Sequence, residues 1–183
     1  MNNPESKSKV AWIEDDNYIL SRKYPLFYFK DLPENFDFDI FRNTSFLEDG
    51  DLGRGNNLDL GRAYQSVMTI PYDCIILDDM MMNGNVFPRE YVSGRDVGDA
   101  LLEEIRSKRS ANRHTPVIMY ISKNDNQRVM SYYKDLGANI LVSKWSSYFP
   151  DDFLRDKHVL NNSRKSRKMI GKIENLSKKL AIK

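Results

Sequence analysis

The sequence has one cysteine, Cys74, and two histidines, His114 and His158, in 183 residues. A single thiol excludes an intramolecular disulfide and a Cys-based zinc cluster, and two imidazoles exclude a His-rich metal centre. No apolar run approaches the roughly eighteen residues that a membrane span needs, and the polar start MNNPESKSK lacks the apolar core of a secretory signal. A soluble cytoplasmic protein with no membrane span is therefore expected. Internal repeats and low-complexity tracts are also missing, and with 40% hydrophobic residues the chain can build one ordinary domain with an appendage.

The charge is nearly balanced at +2, but it is unevenly spread. Residues 145–183 hold 10 Lys/Arg against 4 Asp/Glu, whereas the first 144 hold 18 against 22. An acidic body and a basic tail are the two features to explain.

Two short apolar runs end abruptly in acid: Lys9 to Ile13 before Glu14-Asp15-Asp16, and Cys74 to Leu77 before Asp78-Asp79. Each reads as a buried strand whose C-terminal end delivers carboxylates. Two further runs, Pro116 to Ile121 and Asn139 to Val142, end in Ser122 and in Ser143-Lys144. Between them lie helical stripes: Leu58 to Met68, Val97-Leu101-Leu102-Ile105 within 95–108, and Val129-Met130-Tyr133-Leu136 within 125–136, the last closed by Gly137. Phe36 to Ile40 alternates as a half-buried strand, and residues 17–31 suit a helix interrupted at Pro25. Residues 48–57 have the Gly/Asp/Asn content of an exposed loop and lack the ligand order of a calcium loop. Alternating strands and helices predict an α/β domain with a doubly wound parallel sheet, in which ligands bind beyond the carboxyl ends of the strands.

Carboxylates gathered at neighbouring strand ends repel one another, and a divalent cation resolves that repulsion. Oxygen-only ligation selects a hard ion, Mg²⁺ being the usual one. Glu14, Asp15 and Asp78 are the expected ligands, with the Met80 carbonyl and waters completing the shell. Lys144 brings an ammonium to the same pocket. A cation and an ammonium around a carboxylate can neutralise an incoming phosphoryl group, so Asp78 is a candidate nucleophile that becomes an aspartyl phosphate.

The order Glu14-Asp15, then Ile-Ile-Leu-Asp78 followed by Met80-Met81, then Pro116-Val-Ile-Met, then Gly137-Ala138 and Lys144 resembles the receiver domain of two-component response regulators. The resemblance covers residues 8–145. It implies a flavodoxin-like five-stranded parallel sheet flanked by helices, a Mg²⁺ site, and phosphotransfer onto Asp78 from a histidine kinase or a histidine phosphotransfer protein. Gly94, opening the helix after the phosphorylation loop, also matches the family, while the loop from Met80 to Ser93 is longer than usual. Four positions depart from the pattern. The switch hydroxyl falls on Ile121, with Ser122 one place later as a possible substitute; the aromatic that moves with it falls on Leu141. Met82 and Trp145 stand where the family commonly has prolines.

The domain plan is a polar segment 1–7, a receiver 8–145, and a connector plus basic amphipathic helix 146–183 that completes the domain. The tail's stripe is Met169, Ile170, Ile173, Leu176 and Leu180. Residues 146–159 read as a connector or a short extra helix. The residues after Lys144 leave too little chain for a helix-turn-helix module once the last helix is supplied, which argues against direct DNA binding. The leading expectation is a phosphoacceptor switch, not a turnover enzyme, that signals to a downstream protein. The alternatives are a pseudo-receiver that binds partners without phosphorylation and a Mg²⁺-dependent phosphohydrolase.

Overall fold

A computed structural model describes residues 7–14, 36–41, 60–81, 86–92, 96–121, 127–143 and 157–159, together with Arg164, Arg167, Lys168 and Gly171. Six strands form one sheet in the order β2-β1-β3-β4-β5-β6. They are β1 (Ser8–Ile13), β2 (Phe36–Phe41), β3 (Cys74–Asp78), β4 (Val117–Ile121), β5 (Ile140–Ser143) and β6 (Lys157–Val159). The first five pair in parallel, in the flavodoxin-like doubly wound order expected from the alternation of apolar runs and helical stripes.

The strands read as continuous apolar runs because both of their faces are buried, as central parallel strands require. Ala11, Ile13, Ile75, Leu77, Met119, Ile121 and Leu141 join the core on one face. On the alternating positions, Trp12, Ile118, Tyr120 and Val142 are equally enclosed. β2 reads differently because only its pairing with β1 is seen among the described residues: it alternates, with Asp37 exposed and Asp39 bonded to the Lys9 ammonium at 3.2 Å and to the Tyr72 hydroxyl at 2.7 Å.

Three helices pack on the core face: α1 (Leu60–Thr69), α3 (Val97–Arg106) and α4 (Gln127–Asp135). Their apolar stripes are the predicted ones. Leu60, Ala63 and Val67 are buried on α1, and Val97, Leu101, Leu102 and Ile105 on α3, while α4 seats Tyr133 fully. Gly137 stops α4 as expected, with φ of 93°, a left-handed conformation that side chains other than glycine seldom adopt.

The turn between α3 and β4 is fixed by two polar side chains. Asn112 is completely buried; its amide nitrogen donates to the carbonyls of Val67 at 2.6 Å and Ile70 at 2.7 Å, and its oxygen accepts from the Tyr72 N–H at 2.8 Å. Arg106 donates to the carbonyls of Gly137 at 2.8 Å, Asn112 at 3.3 Å, Arg113 at 3.2 Å and Thr115 at 2.9 Å, and to the Asn139 side chain at 2.9 Å.

The connector requires a correction. Lys157–Val159 is neither linker nor helix but a sixth strand, antiparallel to β5, in the register Ile140↔Val159 and Val142↔Lys157. It occupies the outer edge of β5, whose N–H and C=O groups would otherwise be exposed to pairing with another chain. Three residues are too short to carry a recognisable period, so only tertiary pairing reveals the strand. In the tail, Arg164, Arg167, Lys168 and Gly171 are helical and the three basic residues are exposed. The stripe Met169, Ile170, Ile173, Leu176 and Leu180 lies outside the described residues, as do the predicted helix over 17–31 and the loop over 48–57.

Candidate functional site

The parallel register fixes the site before any side chain is considered. Ile13 stands opposite Leu77, so the next residue of each strand, Glu14 and Asp78, lies abreast at the carboxyl end of the sheet. Glu14 is fully enclosed and its N–H is held by the Phe41 carbonyl at 3.1 Å. Asp78 is 1% exposed and the adjoining Asp79 is completely buried. Three buried acidic residues thus stand at the ends of two neighbouring central strands, where removal from water penalises each negative charge.

The backbone around Asp78 is tightly held. The Met80 N–H donates to Asp78 Oδ1 at 3.3 Å, an aspartate turn that limits the carboxylate's rotation. The Asp79 N–H donates to the Tyr120 carbonyl at 3.2 Å, and the Asp79 carbonyl accepts from the Gly98 N–H at 3.1 Å. Gly98 seats the first turn of α3 directly on this strand end. A Cβ there would collide with the Asp78 carbonyl and lie 2.8 Å from both Cα and O of Asp79. Gly94, the glycine that the resemblance matches, lies outside the described residues; the glycine that this strand end needs is four positions on.

Among the predicted site residues, the structure therefore brings Glu14 and Asp78 together, with Met80 directly after. Asp15, Ser122 and Lys144 lie outside the described residues, as do Met82 and Trp145. Among the described residues no group of three His, Cys, Asp or Glu is arranged to hold a metal ion. Two buried carboxylates at adjacent strand ends supply the oxygen donors that a hard divalent cation takes. Cys74 is no alternative nucleophile: burial pushes its thiol up to about 12, leaving it protonated and inert at neutral pH.

Ile121 and Leu141 are both completely buried members of the apolar core. At these two positions β4 and β5 carry packed hydrocarbon, with no hydroxyl to contact a phosphoryl oxygen and no aromatic ring to swing.

The long segment after Asp78 contains structure that composition did not suggest. Met81 and Phe87 are buried, and the short helix α2 (Arg89–Val92) lies against α3. The Phe87 ring meets Tyr64 of α1 edge-on at 5.7 Å and Tyr91 at 5.6 Å. Tyr91 donates to Glu103 of α3 at 3.1 Å. The residues 86–92 are therefore anchored across α1 and α3 and are not a free surface loop.

A second polar group joins α3 to α4. Asp99, in the first turn of α3, is 2% exposed and accepts a hydrogen bond from the Tyr132 hydroxyl of α4 at 2.8 Å. The neighbouring Tyr133 phenol is pushed far above its ordinary range, first by burial and then by the negative charges of Asp99, Asp79 and Asp96. The available signal was one acid among the apolar residues of the α3 stripe.

The strand order is that of a flavodoxin-like doubly wound fold. No protein-family model matches the chain, and no curated protein is similar to it in sequence. Among solved structures it is similar to the bacteriophytochrome response regulator AtBRR, with 16% identity, a TM-score of 0.48 and coverage of 76% of this chain and 83% of that one. It is also similar to a response regulator from Burkholderia pseudomallei, solved with a phosphorylated aspartic acid, calcium ion and citrate, with 11% identity, a TM-score of 0.48 and coverage of 92% and 75%. The observed sheet, and not these likenesses, defines the fold. Among the described residues no helix is long and apolar enough to cross a membrane.

Proposed function

We propose that the chain is a response-regulator receiver that accepts a phosphoryl group on Asp78 and passes the change to a protein partner. The observation that carries this reading is the pair Glu14 and Asp78, buried abreast at the carboxyl ends of two central parallel strands. Such a pair is expensive to enclose unless a cation or a transferred group compensates its charge. Glu14, Asp15, Asp78 and the Met80 carbonyl would hold Mg²⁺, which when bound supplies neutralising charge for the phosphoryl oxygens. Lys144 would add an ammonium to them.

In the transfer, a carboxylate oxygen of Asp78 attacks the phosphorus of a phosphohistidine on a histidine kinase or phosphotransfer protein. The P–N bond breaks, the imidazole nitrogen keeps the electron pair and takes up a proton, and an acyl phosphate forms on Asp78. The Met80 N–H hydrogen bond orients the attacking carboxylate. The protein acts as a switch and not as a turnover enzyme, its output being the new charge.

Incubation with acetyl phosphate and Mg²⁺ is expected to add a single adduct of about 80 Da to the intact mass. The adduct should be absent with EDTA and in Asp78→Asn. A second reading, a pseudo-receiver that binds its partner without phosphorylation, is favoured by the packing of Ile121 and Leu141 in the core. Absence of any adduct, from acetyl phosphate or from a cognate kinase, would select that reading.

The C-terminal stripe is proposed to complete the domain by covering apolar surface on the sheet face that carries Trp12 and Tyr120. Truncation at about residue 160 is then expected to remove several kcal/mol of stability, at roughly 25 cal/mol per Å² of lost apolar burial. Unchanged thermal unfolding of the truncated chain would show that the stripe serves a partner instead.

A further inference from the structure

We infer that the signal leaves the Asp78 site through Asp79 and Asp99 to Tyr132, by release of the Tyr132–Asp99 hydrogen bond that ties α4 to α3. This rests on the receiver reading, and it specifies how that site is read out.

The positions where a hydroxyl and a mobile ring would be expected hold Ile121 and Leu141, both fully packed in the core, and neither side chain has a polar group to respond to a new anion. Polar contacts run instead toward α3 and α4. Asp79 follows the acceptor directly in the chain, and its carbonyl holds the Gly98 N–H in the first turn of α3. Asp99 is the next residue of that turn, and its carboxylate is the acceptor for the Tyr132 hydroxyl. Tyr133, adjoining Tyr132 on α4, is fully buried and feels the negative charges of both Asp99 and Asp79. The two tyrosine rings meet edge-on at 5.2 Å, so movement of one is felt by the other. Tyr132 is 41% exposed and is one of three large hydrophobic residues exposed among those described. A buried acid beside the site is thereby connected to a partly exposed aromatic on an outer helix face.

Forming the acyl phosphate replaces the single charge of the Asp78 carboxylate by nearly two on the phosphoryl group, a net gain of about one negative charge at the strand end, next to carboxylates that are already buried there. Like charges in a poorly solvated setting repel strongly. One hydrogen bond contributes only modestly in net terms, so the part of this added charge that Mg²⁺ and Lys144 leave uncompensated displaces the Asp99 carboxylate from Tyr132. The element with two arrangements is α4, tied to α3 or released from it.

Hydrogen exchange of the peptide covering 127–136, measured with and without acetyl phosphate and Mg²⁺ while intact mass is followed in parallel, tests this. Phosphorylated wild-type protein is expected to exchange roughly tenfold faster there, the factor expected for loss of a hydrogen bond to a charged group. Tyr132→Phe lacks the hydroxyl and should show the raised exchange before phosphorylation, with little further change. Asp99→Asn keeps an acceptor for Tyr132 but not the charge, so it should take up phosphate and show no response in this peptide. An adduct on wild-type protein with unchanged exchange over 127–136 would overturn this inference alone, as would a wild-type response in Asp99→Asn. Absence of the adduct would overturn the receiver reading and this inference with it.

Discussion

Replacing Arg106 by Met is expected to lower folding stability by about 3 kcal/mol, measured as a shift of the urea midpoint at unchanged slope. The guanidinium links three separate pieces of chain: the end of α3 that carries it, the turn over Asn112 to Thr115, and the junction of α4 with β5 at Gly137 and Asn139. All of its partners are oxygens of carbonyl or amide groups. Burial lowers its pKa to about 10, which still leaves a full positive charge at neutral pH. Methionine fills much of the space occupied by the aliphatic stem against Gly137, but it leaves several carbonyls without a donor, and enclosed carbonyls are costly to leave unsatisfied. Arg106→Lys is the discriminating control. An ammonium retains the charge but not the planar fork, and it cannot reach the same spread of acceptors, so most of the loss is expected to remain. Wild-type stability in the lysine variant would show that charge alone accounts for the effect.

Gly98→Ala provides a test in which two physical effects have opposite signs. Intrinsic helix propensity favours alanine by about 1 kcal/mol within a helix. At this position the added methyl would meet the Asp78 carbonyl and the backbone of Asp79, groups held by the sheet and unable to rotate away. Packing therefore prevails, and a net loss of at least ~2 kcal/mol is expected. A functional loss should accompany it: relief of the collision moves the strand end that positions Asp78, so the acetyl phosphate adduct should form more slowly even in the folded fraction. A Gly98→Ala variant as stable as wild type, or more so, would mean that α3 can lift from the strand without consequence.

Much of the architecture was legible because each element is a local pattern. Cys74 to Asp78 is an apolar run closed by acid, and Val97, Leu101, Leu102 and Ile105 recur at helical spacing; neither needs a partner to be recognised. Gly137 marks the end of α4 because a left-handed residue is a local requirement. The arrangement of the long segment after Asp78 was not legible in this way. Phe87 and Tyr91 occur among polar residues with no period, and their burial depends on Tyr64 of α1 and Glu103 of α3, which are distant in the chain. Asp99 carries no local signal either: an acid in the first turn of a helix is ordinary, being favoured by the helix dipole, and the approach of α4 brings Tyr132 onto it.

The sequence by itself determined the alternation of strands and helices, the carboxylates at the ends of β1 and β3, and the apolar character of Ile121 and Leu141. These follow from residue type and spacing along one stretch of chain. The tertiary structure alone decided that Glu14 and Asp78 stand abreast, that Gly98 must lack a side chain, that Lys157–Val159 closes the edge of β5, and that Tyr132 reaches Asp99. Each of these depends on strand register or on the approach of two helices. Such relations join residues remote in sequence, and they are set by the packing of the whole sheet and its helices, not by any local preference.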